Sequence, residues 1–237
     1  MQYMGSKNRL SKELLPIILK DRKENQVYVE PFCGGCNMID KVDGKRLAND
    51  FNEYLVELWR ALQNGWIPPT TVTKEEYGDI RLNKDKYPKE LVCFVGLLCA
   101  FGGKWFGGYA KNSKGDNYAD RGSRIIVKQV EKLKNVGFIN GSYDAFTIPN
   151  NSIIYCDPPY ANTTKYKDDF NHEKFWDWCR DMARKGHTVF ISEYNAPEDF
   201  ECIFEKEVKT VLNKNSQDAK RVERLFTYKS HDATEWE

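Results

Sequence analysis

Two short apolar segments constrain the fold of this chain more than any other feature of its sequence. Apolar side chains are nearly continuous over residues 152–156 and again over residues 188–192. A strand with one exposed face alternates apolar and polar residues, whereas a strand inside a parallel sheet is covered on both faces and is apolar throughout. The two segments therefore predict central strands of a parallel sheet that has helices on both faces.

Helical and strand patterns alternate around these two segments. Apolar spacing predicts helices over 10–19 (with Ser11 as N-cap), 53–62 and 175–183. Further strands are predicted over 27–29 and 45–50, and a terminal antiparallel hairpin over 202–212 and 221–228. We therefore expect an α/β fold with a doubly wound sheet and a C-terminal β-hairpin. In such sheets, ligands bind beyond the carboxyl ends of the strands.

The pattern changes between residues 65 and 141. An apolar, helix-like segment over 91–100 precedes a stretch rich in glycine, aromatic residues and cations. Residues 101–134 contain eight Lys or Arg against three Asp or Glu, whereas the whole chain has 36 against 35. This composition is typical of a nucleic-acid surface, and a solvated basic loop is the alternative. We predict a small, mostly helical insert over 65–141 and a main domain formed by 1–64 and 142–237.

Composition excludes several classes of protein. With 30% charged residues, the chain has no apolar run of the roughly 20 residues that a membrane-spanning helix needs. The N-terminus lacks the apolar stretch of a secretory signal, so we expect a cytoplasmic protein. The seven cysteines are irregularly spaced, and the one C-x-x-C, Cys33 to Cys36, has no second pair of ligands. We therefore predict reduced thiols and no metal site. We also expect neither a membrane association nor an obligate protein partner.

The segment Asp157-Pro158-Pro159-Tyr160 follows the first apolar strand and carries the strongest chemical signal. Two prolines fix a rigid turn and remove two amide donors, so the turn presents carbonyl oxygens beside the carboxylate of Asp157. Tyr160 adds a ring that can stack on a planar group. A nucleobase with an exocyclic amino group fits this cluster of acceptors. A proline turn in which Asp157 is satisfied locally is the alternative.

Five motifs in this order resemble the Dam-like DNA adenine methyltransferases over nearly the whole chain. They are Tyr3-Met4-Gly5-Ser6-Lys7, Glu30-Pro31-Phe32-Cys33-Gly34-Gly35, the acidic Asp50, Asp157-Pro158-Pro159-Tyr160 and Arg221-Val222-Glu223-Arg224-Leu225. The last of these is similar to the R-V-x-E-L pattern of the family's final strand. Each motif is weak alone, and together they are specific.

The resemblance implies a Rossmann-like methyltransferase sheet, a target-recognition insert and S-adenosyl-L-methionine as cofactor. It implies that methyl transfer to the exocyclic amino nitrogen of a flipped adenine in double-stranded DNA depends on Asp157, Pro158, Pro159 and Tyr160. The implied cofactor residues are Tyr3, Lys7, Pro31, Phe32, Gly34, Gly35, Asp50 and Asp157. For DNA contacts we predict Lys104, Tyr109, Lys111, Arg121, Arg124, Asn213, Lys214 and Arg221.

Cys36 and Glu193 depart from the family pattern. Cys36 stands where a second glycine of the cofactor loop is usual, which predicts a locally reshaped loop. Glu193 stands where many relatives carry Asn, so no role is carried onto it.

Three alternative functions stay open at this point. Cytosine amino-methyltransferases more often carry Ser in place of Asp157, and methyltransferases acting on RNA or on a protein amide more often carry Asn. A catalytically silent nucleic-acid-binding protein would not need Asp50, Lys7 and the Asp157 motif together.

Overall fold

The computed structural model describes residues 1–111, 115–160, 170–209 and 220–229. Within these ranges the strands form one seven-stranded sheet with the order β3-β2-β1-β4-β5-β7-β6. The strands are β1 (Tyr28–Glu30), β2 (Arg46–Asp50), β3 (Val136–Asn140), β4 (Ile153–Cys156), β5 (Thr188–Glu193), β6 (Phe200–Lys209) and β7 (Lys220–Tyr228). The first five strands in this order, from β3 at the edge to β5, are all parallel to their neighbours. Strand β7 runs antiparallel to both β5 and β6. The predicted parallel sheet and C-terminal hairpin are therefore confirmed.

Helices cover both faces of the sheet, as the two apolar strands predicted. They are α1 (Ser11–Ile18), α2 (Glu53–Gln63), α3 (Lys74–Leu82), α4 (Lys89–Leu98), α5 (Tyr118–Val130) and α6 (His172–Arg184). Tyr28 of β1 packs in one core with Trp59 of α2, whereas its neighbour Val29 packs in a second core with Phe175 of α6. Successive residues of a strand point to opposite faces, so β1 is buried on both. None of the helices in the described ranges is long and apolar enough to cross a membrane.

The start of the first helix differs from the sequence prediction. Leu10, not Ser11, is the N-cap of α1, and the Ser11 hydroxyl donates to the carbonyl of Asn8 at 2.8 Å. A 3₁₀ turn over Lys7–Arg9 precedes the helix, and Ser6 caps this turn by accepting from the amide of Asn8 at 3.2 Å. The capping serine is therefore Ser6, because a 3₁₀ turn that the apolar periodicity does not show precedes the helix.

Strand β3 lies within the segment predicted as the insert, 65–141, yet it belongs to the central sheet. It pairs in parallel with β2 from Arg46 opposite Val136 to Asp50 opposite Asn140. The sequence gives no clear signal for this strand, because an edge strand is only half buried and carries no continuous apolar run. The division of the chain into two domains stays a prediction.

Helices α3, α4 and α5 fill the chain between α2 and β3. Phe94 of α4 and Ile126 of α5 are fully buried in the same core as Trp59 of α2. These helices therefore extend the core on one face of the sheet. As a result, residues of the basic segment are held at a defined position relative to the strand ends.

Candidate active site

Three neighbouring strand ends bring the predicted motifs together. Strand β1 lies between β2 and β4 and is parallel to both. The carboxyl ends of parallel strands meet at one edge of a sheet, so the loop after Glu30, the carboxylate of Asp50 and the turn after Cys156 lie side by side. This is the edge at which ligands bind in open α/β sheets.

The glycine loop after β1 is tied to the end of β2. The amide of Gly34 donates to Asp50 Oδ2 at 2.8 Å, and Asp50 Oδ1 accepts from the amide of Asn52 at 2.9 Å. Gly34 has φ +47°, a left-handed conformation that favours glycine. Burial raises the pKa of Asp50 above the usual value for Asp, and the two backbone amides oppose that shift. The loop and the carboxylate therefore form one rigid unit.

The N-terminal segment closes over this loop through Tyr3. A Cβ placed on Gly34 would lie 2.8 Å from the Tyr3 ring, and one placed on Gly35 would lie 2.8 Å from Tyr3 Cβ. Both positions are therefore restricted to glycine by Tyr3. Beside them Phe51, directly after Asp50, is 81% exposed. A close-approach glycine loop, a carboxylate and an exposed aromatic ring fit a nucleoside-containing cofactor such as S-adenosyl-L-methionine.

Pro31 and Phe32 anchor the start of the loop. The carbonyl of Pro31 accepts from Asn49 Nδ2 at 2.9 Å, and the same nitrogen donates to the carbonyl of Gly141 at 3.0 Å. The Phe32 ring lies 5.3 Å from that of Tyr143, centroid to centroid. Asn49 Oδ1 is buried and has no hydrogen-bond partner in the part of the chain that is described. Asn49 thus links the exits of β1, β2 and β3.

Lys7 lies at the Asp157 motif. Its Nζ is 3.1 Å from Asp157 Oδ1, 3.4 Å from Glu223 Oε2, and 4.4 Å from the centroid of the Tyr160 ring. The Tyr160 hydroxyl donates to Glu223 Oε2 at 3.1 Å, and Tyr194 packs edge-on against the Tyr160 ring at 4.6 Å. Asp157 and Tyr160 are therefore held from several sides.

The electrostatics of this cluster follow from burial and charge pairing. Burial lowers the pKa of Lys7, but Asp157 and Glu223 outweigh it, so the net shift is upward and the ammonium stays charged. Burial raises the pKa of Asp157 above its usual value, and Lys7 opposes that shift. Lys7 therefore favours the ionised form of Asp157, the form that accepts hydrogen bonds on both oxygens.

Comparison with known proteins identifies the family. The sequence profile of the D12 class N6 adenine-specific DNA methyltransferases matches residues 3–95 and 92–214. The chain belongs to this family. The expected family is thereby confirmed, and the matched ranges span all four elements of the site around Lys7, Gly34, Asp50 and Asp157.

Individual relatives are more distant. The Type II methyltransferase M.FokI of Planomicrobium okeanokoites is 25% identical over 76% of this chain, and the modification methylase StsI of Streptococcus sanguinis is 24% identical over 75%. The chain spans 31% of the length of each. Among solved structures, TrmN of Thermus thermophilus is 10% identical, with a TM-score of 0.38 over 94% of this chain and 49% of that one.

Cys36, which stands where the family usually has a second loop glycine, has a backbone conformation typical of glycine. Cys36 has φ +54°, so it adopts the left-handed conformation that glycine prefers, at a cost of about 1–2 kcal/mol. Its thiol is fully buried, and its carbonyl accepts from Gln129 Nε2 at 3.3 Å. Gln129 also donates to the carbonyl of Gly35 at 3.0 Å. Helix α5 therefore supports the reshaped loop through Gln129.

The structure separates the predicted DNA residues into groups. Lys104, Lys111, Arg121 and Arg124 are exposed. Arg121 lies over the Tyr118 ring at 4.6 Å, and Arg124 pairs with Asp120 at 2.8 Å. Tyr109 donates to the carbonyl of Val72 at 2.8 Å and packs against Tyr77, so its side chain holds the loop to helix α3 and is not displayed for stacking.

The three other predicted DNA contacts are Asn213, Lys214 and Arg221. Arg221 is in β7, opposite Val208 of β6. Asn213 and Lys214 fall outside the described residues.

Sequence reasoning missed Glu223, Tyr194 and Phe51 as site residues. Glu223 occupies the variable position of the quoted strand pattern, and Tyr194 follows β5 without a motif. Only tertiary contacts with Tyr160 mark them. Phe51 could have been recognised from the sequence, because a large aromatic residue directly after the acidic end of β2 lies beyond the carboxyl end of the strand, where ligands bind.

Gly35→Ala should weaken cofactor binding. The added Cβ meets Tyr3 Cβ and Asn37 Nδ2, each at 2.8 Å, so the loop or the N-terminal segment must shift. We expect the dissociation constant for S-adenosyl-L-methionine to rise about tenfold, equivalent to about 1.4 kcal/mol, in a calorimetric titration. Gly78→Ala is the matched control, because a Cβ there meets nothing within 4 Å. Equal affinities for the two variants would show that the loop around Gly35 does not bind the cofactor.

Lys7→Met should move the acid limb of the activity profile to higher pH. Asp157 accepts hydrogen bonds on both oxygens only as a carboxylate, and its already raised pKa rises further when the opposing ammonium is removed. Activity is lost as the pH falls through this pKa, so a higher pKa means loss at higher pH. We expect a shift of about one unit or more in kcat/KM against pH. An unshifted acid limb would show that Lys7 does not control the ionisation of Asp157.

Proposed function

We propose that this chain is a site-specific DNA adenine methyltransferase. It would transfer the methyl group of S-adenosyl-L-methionine to the exocyclic 6-amino group of an adenine flipped out of duplex DNA. One observation carries the proposal. The acceptor turn of Asp157, with Lys7 and Tyr160 around it, lies at the strand end next to the loop that binds Asp50. Membership of the D12 family supports adenine as the base and DNA as the substrate.

The residues of the glycine loop would bind and orient the cofactor. Asp50 offers a carboxylate to ribose hydroxyls, Gly34 and Gly35 allow close approach, and Phe51 offers an aromatic face to a base. Tyr3, Pro31 and Phe32 hold this loop in place. When bound, S-adenosyl-L-methionine supplies a methyl group activated by an adjacent sulfonium.

The Asp157 motif would bind the target base. An exocyclic amino nitrogen is a poor nucleophile because its lone pair is delocalised into the ring. Asp157 and the Pro158 carbonyl accept its two N–H groups, which favours a pyramidal nitrogen and stabilises the positive charge that develops on it. Pro159 keeps the turn rigid, and the Tyr160 ring holds the base plane. Alignment at the site then accounts for much of the rate.

Asp157→Asn should abolish most methyl transfer in a folded protein. The substitution keeps size but replaces an acceptor-only carboxylate by an amide, so we expect a rate loss of about 100-fold or more. Transfer of labelled methyl groups to unmethylated DNA, followed by identification of the modified base, measures this. Asp177→Asn is the control, because its carboxylate is 67% exposed and pairs only locally with Arg180.

The same assay decides between the proposed function and its alternatives. N6-methyladenine in DNA supports the proposal. A modified cytosine, methylation confined to RNA or protein, or DNA binding without any transfer would each replace it with the corresponding alternative. Near-wild-type transfer by Asp157→Asn would show that the acceptor turn is not the catalytic site.

We further propose that the segment between α2 and β3 carries target recognition, with Lys104, Lys111, Arg121 and Arg124 facing DNA. Their exposure and the local excess of positive charge support this. Asn213, Lys214 and Arg221 would extend the contact at the terminal hairpin.

Replacing both Lys104 and Arg121 by Ala should weaken DNA binding and reduce its salt dependence. Each lost phosphate contact lowers the slope of log K against log salt by about 0.9, so the slope should fall by about 1 to 2. A salt titration of duplex binding measures this. Lys23→Ala is the control, because Lys23 is exposed before β1, at the opposite end of the strand from the site. Equal slopes for the two variants would place DNA on another surface.

A further inference from the structure

Asp157 shares its cation with a second carboxylate. Lys7 Nζ lies between Asp157 Oδ1, at 3.1 Å, and Glu223 Oε2, at 3.4 Å. The Lys7 side chain is 7% exposed, that of Asp157 is 22% exposed, and that of Glu223 is 16% exposed. Two carboxylates and one ammonium give this cluster a formal charge of −1.

The sign of this charge matters for the proposed reaction. Methyl transfer develops positive charge on the attacking nitrogen, and the departing sulfur begins as a sulfonium cation. Asp157 paired with Lys7 alone would be neutral and would offer little stabilisation to either cation. Glu223 restores one negative charge within the same contact cluster. Charge that is in place before reaction stabilises a transition state without reorganisation.

Strand geometry directs Glu223, and not its neighbour, into the site. Successive residues of a strand face opposite sides of the sheet. Glu223 reaches Lys7 and the Tyr160 hydroxyl, whereas Arg224 Nε pairs with Glu205 Oε2 at 2.6 Å and Arg224 Nη1 donates to the backbone carbonyl of Tyr194. The position that the family pattern leaves variable therefore holds the residue that contacts the Asp157 motif.

Two mostly buried carboxylates that share one ammonium are not expected to stabilise the fold. A mostly buried carboxylate that shares a cation with another carboxylate loses hydration that one ammonium cannot fully replace. Neutral replacements of buried ionic groups are often harmless or stabilising when the remaining charges stay paired. Glu223→Gln leaves the Lys7–Asp157 pair intact. If Glu223 served only to stabilise the fold, its negative charge would therefore add little to the free energy of unfolding.

We propose that Glu223 is a positioning residue that gives the methyl-transfer site its net negative charge and holds Lys7 and Tyr160 against Asp157. This inference rests on the proposed function and extends it to a residue outside the Asp157 motif. It also defines a ligand preference: the site favours a cationic sulfonium over a neutral thioether of the same shape.

Calorimetric titration with S-adenosyl-L-methionine and S-adenosyl-L-homocysteine tests this preference without DNA. Glu223→Gln keeps an acceptor for the Tyr160 hydroxyl and removes the charge. We expect its affinity for S-adenosyl-L-methionine to fall about tenfold or more while its affinity for the neutral thioether is unchanged. The methyl-transfer kcat should fall as well, and the unfolding temperature should stay equal or rise. Glu205→Gln, on the same hairpin with a carboxylate 57% exposed, should change none of these.

A double variant provides the decisive comparison. At a pH above the raised pKa of Asp157, Lys7→Met combined with Glu223→Gln leaves Asp157 as the single charge, so the cluster returns to −1. We expect it to recover preference for the cationic ligand relative to Glu223→Gln alone. Equal weakening of both ligands, no weakening, or no recovery in the double variant would each overturn the inference. Absence of transfer to DNA adenine by the wild-type chain would instead overturn the proposed function, whatever the ligand titrations show.

Discussion

The parallel pairing of β1 between β2 and β4 is the constraint on which the site depends. It places the carboxyl ends of three strands side by side. Residues far apart in sequence, such as Asp50 and Asp157, therefore lie in the same region of the molecule. The pairing in turn requires both faces of these strands to be buried. The two cores that cover Tyr28 and Val29 on opposite sides of β1 meet that requirement.

The N-terminal segment links the two halves of the site. Tyr3 packs on Gly34 and Gly35 at the cofactor loop, and Lys7 pairs with Asp157 at the acceptor turn. A shift of this segment would therefore disturb the glycine loop and the Asp157 turn together. Gln129 of α5 adds a second support from the helices that we propose for target recognition, because it donates to the carbonyls of the same loop.

Much of the fold could be predicted from the sequence, since central strands of parallel sheets have a distinctive apolar composition. The segments 152–156 and 188–192 were placed correctly for this reason. Strand β3 was missed because an edge strand lacks that composition. The N-cap of α1 was misassigned because Ser6 caps a preceding 3₁₀ turn, whereas apolar periodicity shows only the helix itself.

The sequence by itself determined the motifs and their order, which were enough to predict the family and the acceptor chemistry of Asp157. Those features are local, since prolines fix their own turn and glycines their own loop. Only the tertiary structure decided that Lys7 joins the Asp157 motif and that Glu223 shares its charge. Charge pairing depends on distances across strands and loops that are separated by most of the chain, and no spacing in the sequence encodes them.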